Sequence, residues 1–295
     1  LDVQGSPVDP DALEGFTPHA TPEADFAADA ADVVSRLASA RRPLLLAGYG
    51  VRCAGAVAEL REFAERMQIP VATTQLGKDV LPYAHPLFTG HPGPKGDRPG
   101  NFAVQNADVV VSIGCSLHTL TTGFELDGFA PKAHKILVDP DPAVLQRECV
   151  GCAQRIRADV GEFLKAMLAA SGLQGPASAH DGWRARCSEW KTRYAVNREQ
   201  HNLAEGPVNF YEFADVLSDV LSGNETIITD AGSAYYVMGQ AFKLKEGQRY
   251  IVSGSLGSMG FTLPAGLGAC AAEPERTVVG VTGDGSLQSN IQELE

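Results

Sequence analysis

Positive charge is scarce in this sequence. Its 295 residues hold 24 lysines and arginines against 36 aspartates and glutamates, a formal net charge of -12, which would repel a phosphate backbone or an anionic membrane surface. Nucleic acid and membrane are therefore not expected as partners. Long apolar runs are missing too: none approaches the ~20 residues of a membrane-spanning helix, and the first residues carry no signal-peptide pattern. Cysteine is sparse and scattered, at Cys53, Cys115, Cys149, Cys152, Cys187 and Cys270, mostly in apolar or helical contexts that suit buried thiols in a reducing cytoplasm. Cys149 and Cys152 have ligand-like spacing, but a zinc site needs a second pair or nearby histidines, and none follows.

What is present is the balance of a globular protein, 44% hydrophobic and 20% charged, with length for two domains. Residues up to about 23 are rich in proline and glycine, lack a hydrophobic period, and read as a linker. In 25–40, Phe26, Ala30, Val33, Val34 and Leu37 recur at helical spacing, and helices are also expected at 54–67 and 160–170. Continuous apolar runs at 44–47, 71–73, 108–113 and 135–138 read as strands covered on both faces. A Gly-, Pro- and Ser-containing stretch at 173–179 suggests a second linker. Beyond it come helices near 183–197 and 210–221, strands at 226–229, 250–252 and 277–281, and a helix at 264–272. The alternation predicts α/β architecture: two doubly wound, Rossmann-like parallel sheets, the second truncated after three strands.

The chemistry concentrates in three segments. Val278-Val279-Gly280-Val281-Thr282-Gly283-Asp284-Gly285-Ser286 is an apolar strand delivering a carboxylate between glycines to the edge of a parallel sheet where ligands bind. The glycines let the backbone approach a diphosphate, a helix starting near Ser286 would aim amides at it, and Asp284 could hold magnesium, which accepts one or two carboxylates and takes its other oxygens from phosphate and water. The plainer reading is a strand-to-helix turn with Ser286 as its N-cap. Ile227-Ile228-Thr229-Asp230-Ala231-Gly232-Ser233 is a second strand ending in small residues that offer amides to an anion. The third segment, 254–265, is glycine-rich around Met259.

In this order, Asp230-Ala231-Gly232, Gly257-Ser258-Met259-Gly260-Phe261 and Gly283-Asp284-Gly285-Ser286 resemble the diphosphate-binding domain of thiamine-diphosphate enzymes of the acetolactate synthase group. The resemblance implies that Ala231, Gly232 and Ser233 bind the diphosphate, that Asp284 binds Mg2+, that Gly257, Gly283, Gly285 and Ser286 complete the pocket, and that Met259 wedges between the two cofactor rings. A bulky, adaptable methionine suits such a wedge. It further implies decarboxylation of a pyruvate-like 2-oxo acid with carboligation to a 2-hydroxy-3-oxo acid, in a homodimer or homotetramer. On this reading 1–22 is a linker from a pyrimidine-binding domain, 23–172 the central α/β domain, 173–206 a linker and helix, and 207–295 a truncated diphosphate-binding domain. No catalytic residue is assigned within the chain, because the family's essential glutamate belongs to the pyrimidine-binding domain; the chain alone is expected to be inactive.

One departure concerns flavin. Where FAD-binding relatives carry Gly-Ala-Arg-Phe-Asp-Asp-Arg, this chain reads Gly114-Cys115-Ser116-Leu117-His118-Thr119-Leu120, and losing two bidentate cations should weaken a dinucleotide site. FAD is expected to be absent. Two alternatives stay open: a plain decarboxylase or a lyase acting on another 2-oxo acid or acyl-CoA with the same cofactor, and a non-catalytic nucleotide-binding module using the turn Gly48-Tyr49-Gly50.

Overall fold

The computed structural model describes residues 7–15, 25–147, 150–172, 180–197 and 206–295, apart from the side chain of Ser255. Two parallel sheets organise them. The first orders its six strands β3-β2-β1-β4-β5-β6, with β1 at Pro43–Ala47, β2 at Val71–Thr73, β3 at Phe88–Gly90, β4 at Val109–Ile113, β5 at His134–Asp139 and β6 at Gln154–Arg157. This is the doubly wound order, with its switch point between β1 and β4.

Both faces of this sheet are covered, which explains the unbroken apolar runs of β1 and β4. On one face, Val33, Leu37, Phe63, Met67, Phe163 and Met167 from helices Ala27–Ser39, Val57–Met67 and Val160–Ser171 join Leu45 and Val111 in one core. On the other, Leu44, Leu46 and Val110 meet Val104 and Trp183 from helices Arg98–Asn106 and Asp181–Arg193. Trp183 also donates its indole N–H to the Pro43 carbonyl at 2.9 Å. Each fully buried large side chain contributes roughly 1.5–3 kcal/mol.

The structure departs from the sequence pattern in places. The helix expected at 54–67 begins later, at Val57–Met67, and a separate short helix, Gly50–Cys53, precedes it, with Gly55 at a positive φ of 66° between them. Strands β3 and β6 were not anticipated. β3 is only 3 residues long, and β6, Gln-Arg-Ile-Arg, buries one side chain in four, so neither carries a continuous apolar run. Cys149 lies outside the described residues; among those described, no group of three metal-ligating side chains occurs and no helix is long and apolar enough to cross a membrane.

The second sheet orders β8-β7-β9, with β7 at Glu225–Thr229, β8 at Arg249–Val252 and β9 at Thr277–Val281. Central β7 is buried throughout. Helices Phe210–Val220 and Gly232–Ala241 cover one face through Ala214, Val237 and Met238. Helix Thr262–Ala272 lies on the other, has no charged side chain, and is half-exposed at Leu267.

Direct bonds join the parts carrying the two sheets. Tyr83 N–H donates to the Leu244 carbonyl at 2.8 Å, and Lys78 Nζ donates to the Gly239 carbonyl at 2.8 Å. The buried Asp79 carboxylate pairs with Arg52 and with Arg249 of β8, each at 2.9 Å. Such buried, satisfied polar groups fix relative position, because removing one partner strands the other.

Candidate functional site

Strands β7 and β9 are parallel neighbours, with Thr229 opposite Val281, so the segments that follow them emerge side by side at one sheet edge. Asp230, the first residue beyond β7, is fully buried. Its Oδ1 accepts the Ala231 N–H at 2.7 Å, and its Oδ2 accepts the Thr262 N–H at 3.3 Å and the Thr282 hydroxyl at 3.0 Å. Ser286 Oγ donates to the same Oδ2 and itself accepts the Gly260 N–H at 2.7 Å. Asn290 adds a bond from Nδ2 to the Gly260 carbonyl at 2.6 Å, and Ser253 Oγ donates to the Asp230 carbonyl at 2.6 Å. One carboxylate thus gathers donors from all three segments.

Burial by itself would raise the pKa of Asp230, but the bonds from Ser286, Thr262, Ala231 and Thr282 outweigh it and hold the carboxyl below its ordinary value. The group stays ionised. Sequence reasoning quoted Asp230 only as part of a motif and passed over Thr262, Thr282 and Asn290. The available signal was an aspartate directly after a fully apolar strand, a place where a buried carboxylate must find donors.

The residues expected to contact the cofactor line the outer side of this knot. Gly232 opens helix Gly232–Ala241, whose N-cap Ala231 supplies no side-chain cap bond. Gly232 takes φ +59°, and a Cβ placed on it, on Gly257 or on Gly283 would meet nothing within 4 Å. Ser233 is exposed beside it. Met259 is 58% exposed, and its Cε would lie 3.4 Å from a Cβ built on Gly285, so the segments holding Met259 and Asp284 approach each other there. Gly232, Ser233 and Met259 are exposed, and the amides at the start of helix Gly232–Ala241, which has no side-chain cap, suit an anion.

One expectation changes. Ser286 is not an N-cap: helix Asp284–Gln288 is capped by Gly283, and Ser286 sits inside it, buried, with its hydroxyl committed to Asp230. The helix begins two positions earlier than expected, with Gly283 in ordinary extended conformation before it, and Ser286 in its first turn bridges to Asp230. Asp284 stands outside the Asp230 network, exposed, with Oδ1 accepting the Gly285 N–H at 2.8 Å. An exposed carboxylate with a spare oxygen fits a magnesium ion that draws its remaining ligands from phosphate and water.

At the switch point of the larger sheet, the turn Gly48-Tyr49-Gly50 packs closely on Gly114. A Cβ on Gly48 would fall 2.1 Å from the Gly114 carbonyl oxygen, and one on Gly50 2.6 Å from Gly114 Cα. Ser116 is exposed and its carbonyl accepts from Arg147, while Leu120 is half-buried.

The model of the family described as thiamine pyrophosphate enzyme, central domain, matches residues 30–167. That described as thiamine pyrophosphate enzyme, C-terminal TPP binding domain, matches residues 230–295. Over 264 residues, 88% of this chain and 44% of that protein, the sequence is 36% identical to the probable acetolactate synthase large subunit of Methanocaldococcus jannaschii. It is 35% identical over 274 residues to the acetolactate synthase large subunit of Parasynechococcus marenigrum, covering 92% of this chain and 43% of that protein. With the acetolactate synthase isozyme 1 large subunit of Escherichia coli it shares 33% over 263 residues, 89% of this chain and 45% of that protein. The chain spans under half the length of these relatives.

Proposed function

We propose, from the premise that this chain belongs to the thiamine pyrophosphate enzymes, that its smaller sheet binds thiamine diphosphate and Mg2+ for acetolactate-synthase-like decarboxylation and carboligation of a pyruvate-like 2-oxo acid. The observation that carries the reading is the gathering of three segments on Asp230, which brings the stretches holding Ala231, Gly232, Ser233, Gly257, Met259, Gly283 and Gly285 together at one sheet edge. When bound there, the cofactor supplies a thiazolium carbon as nucleophile and electron sink for loss of carbon dioxide.

The chain's own residues bind and orient. Amides of Gly232 and Ser233 at the start of a 10-residue helix would receive the diphosphate, with Ala231 set beside them by its N–H bond to Asp230 Oδ1. Asp284 would hold the metal. Two carboxylates, Asp230 and Asp284, stand near a multiply anionic diphosphate tail, so the cation is needed to offset like-charge repulsion as well as to orient. Met259 is free to take up a position between the cofactor rings, its solvent exposure leaving room for a ligand. Ser286 shapes the pocket through its hold on Asp230 and Gly260 rather than by facing the ligand.

On this reading 23–172 is the central domain, 207–295 belongs to the diphosphate-binding domain, 1–22 is a linker, and 173–206 is a linker with a helix, Asp181–Arg193, that packs on the larger sheet. The working enzyme is a cytoplasmic homodimer or homotetramer; the apolar, uncharged and exposed helix Thr262–Ala272 supports a further covering surface. No residue of this chain is assigned proton transfer, and the chain alone turns over no pyruvate. Calorimetry of the chain with thiamine diphosphate tests the proposal: saturable binding that needs Mg2+ and is lost in Asp284→Asn supports it, and equal binding with and without Mg2+ refutes it. Product analysis of the full-length protein with pyruvate separates carboligation from the alternative, a plain decarboxylase or a lyase of the same cofactor class.

A further inference from the structure

Three arginines converge in a cleft of about 150 Å³ where the two sheet-bearing parts meet, lined by Arg52, Arg61, Asp79, Glu246 and Arg249 among others. That is unusual company in a chain of net charge -12. Asp79 neutralises only part of it. Its carboxylate, 1% exposed, takes Arg52 Nε and Arg249 Nε at 2.9 Å each, and the Tyr250 N–H at 3.2 Å. Arg52 Nη2 reaches the Asp79 carbonyl at 2.7 Å. These bonds occupy the inner edges of two guanidinium forks, and each fork has further N–H donors.

Arg61 completes the set from helix Val57–Met67. Its Nη1 pairs with Glu246 at 3.0 Å, but Glu246 is 68% exposed, a solvent-screened pair of small worth. Arg61 Nε is buried and has no hydrogen-bond partner, and an unpartnered donor of that kind marks a missing acceptor. With three guanidinium groups against two carboxylates, one of them loosely held, the cleft retains positive charge. Its volume is below the ~300–1,000 Å³ of pockets for larger organic ligands, so a nucleotide does not fit and a small ion does.

We propose that this cleft binds a small tetrahedral oxyanion of the phosphate class, which accepts from Arg61 and from the free edges of Arg52 and Arg249 and so ties β8 to the larger sheet. Guanidinium forks match such an anion in geometry and stay charged at any working pH. The site is separate from the segments around Asp230, and it stands whether or not thiamine diphosphate binds there.

The test is calorimetry of the whole chain with inorganic phosphate at fixed ionic strength, with EDTA present so that no divalent cation recruits phosphate to Asp284. One saturable site is expected, with a rise in Tm on phosphate addition. Arg61→Gln should weaken binding about tenfold, by removing charge-assisted donors without touching the Asp79 pairs. Glu246→Gln should tighten it severalfold by freeing Arg61. Arg155→Gln, exposed on β6, should change nothing. Absence of saturable binding, binding indifferent to both Arg61→Gln and Glu246→Gln, or an equal loss in Arg155→Gln would overturn the proposal. If Arg61→Gln fails to fold by circular dichroism, the Glu246→Gln gain decides.

Discussion

Ser286 and Asp230, 56 positions apart in sequence, are joined by a hydrogen bond from Ser286 Oγ to Asp230 Oδ2, and the same oxygen of Ser286 accepts from Gly260 N–H at 2.7 Å. One buried hydroxyl therefore ties three segments. Ser286→Ala should lower stability by about 1–3 kcal/mol, because it strands a buried amide and removes a donor from a carboxylate. Hydrogen exchange at Gly260 should accelerate. Unchanged exchange there would mean that the bridge does not hold the loop.

Asp230 accepts and never donates in this arrangement, so Asp230→Asn is not a neutral isostere: its NH2 would face donors. Its folded-state pKa lies below the unfolded value of about 3.9. The ionised group thus adds stability at neutral pH, and that increment is lost as the pH falls below about 4 through the folded-state value. The variant should be destabilised at pH 7 and show a shallower loss on acidification. Denaturant titrations between pH 3 and pH 7 would check both.

How much of this was readable in the residues depends on the range of each interaction. Strands β1, β4 and β5 announce themselves because burial on both faces demands continuous apolar runs such as Leu44-Leu45-Leu46 and Val109-Val110-Val111. β6 carries two arginines and buries only Ile156, so no local period marks it. The glycines and Asp284 are local signals of a strand-to-helix turn. The role of Asp230 is not, since its partners at Thr262, Thr282 and Ser286 are set by parallel pairing of β7 with β9. The arginine cleft lies further still from sequence reach, with Arg61 and Glu246 separated by 185 positions.

Lys78 should make stability rise with pH above neutrality. It is buried, bonded to the Gly239 carbonyl and to His91 Nε2 at 3.1 Å, and burial pushes its pKa down to about 7 against the opposing pull of Asp97. The unfolded chain keeps that amine protonated up to about pH 10.4. Between about pH 7 and pH 10 the unfolded state therefore binds more protons, and folding gains as pH increases. Lys78→Met should flatten the rise while leaving His91 and the Gly239 carbonyl short of a partner. A wild-type curve already flat between pH 7 and pH 9 would contradict the assignment.

Flavin should be absent from the purified protein. Ser116 and Leu120 stand where FAD-binding relatives carry arginines, and the Gly48–Gly50 turn presses on Gly114 closely enough that a Cβ on Gly48 would lie 2.1 Å from its carbonyl oxygen. Losing two bidentate cationic donors weakens a dinucleotide diphosphate site. Absorbance near 450 nm after denaturation would show released flavin and refute the expectation.

Asp284 and Met259 should separate cofactor handling from folding. Both are exposed, Met259 at 58%, so Asp284→Asn and Met259→Ala should each alter stability by no more than about 0.5 kcal/mol. Asp284→Asn removes the charge proposed to hold a hard cation, and thiamine diphosphate binding should fall by at least about tenfold, with added Mg2+ recovering little of it. EDTA on the unsubstituted chain should have the same effect. Met259→Ala should weaken binding less, since the diphosphate anchor remains, yet depress turnover of the full-length enzyme more than affinity, as expected when an orienting contact is lost. A methionine that merely fills space would shift Tm and leave the ratio of kcat to affinity unchanged, so measuring both in one variant decides between the two roles.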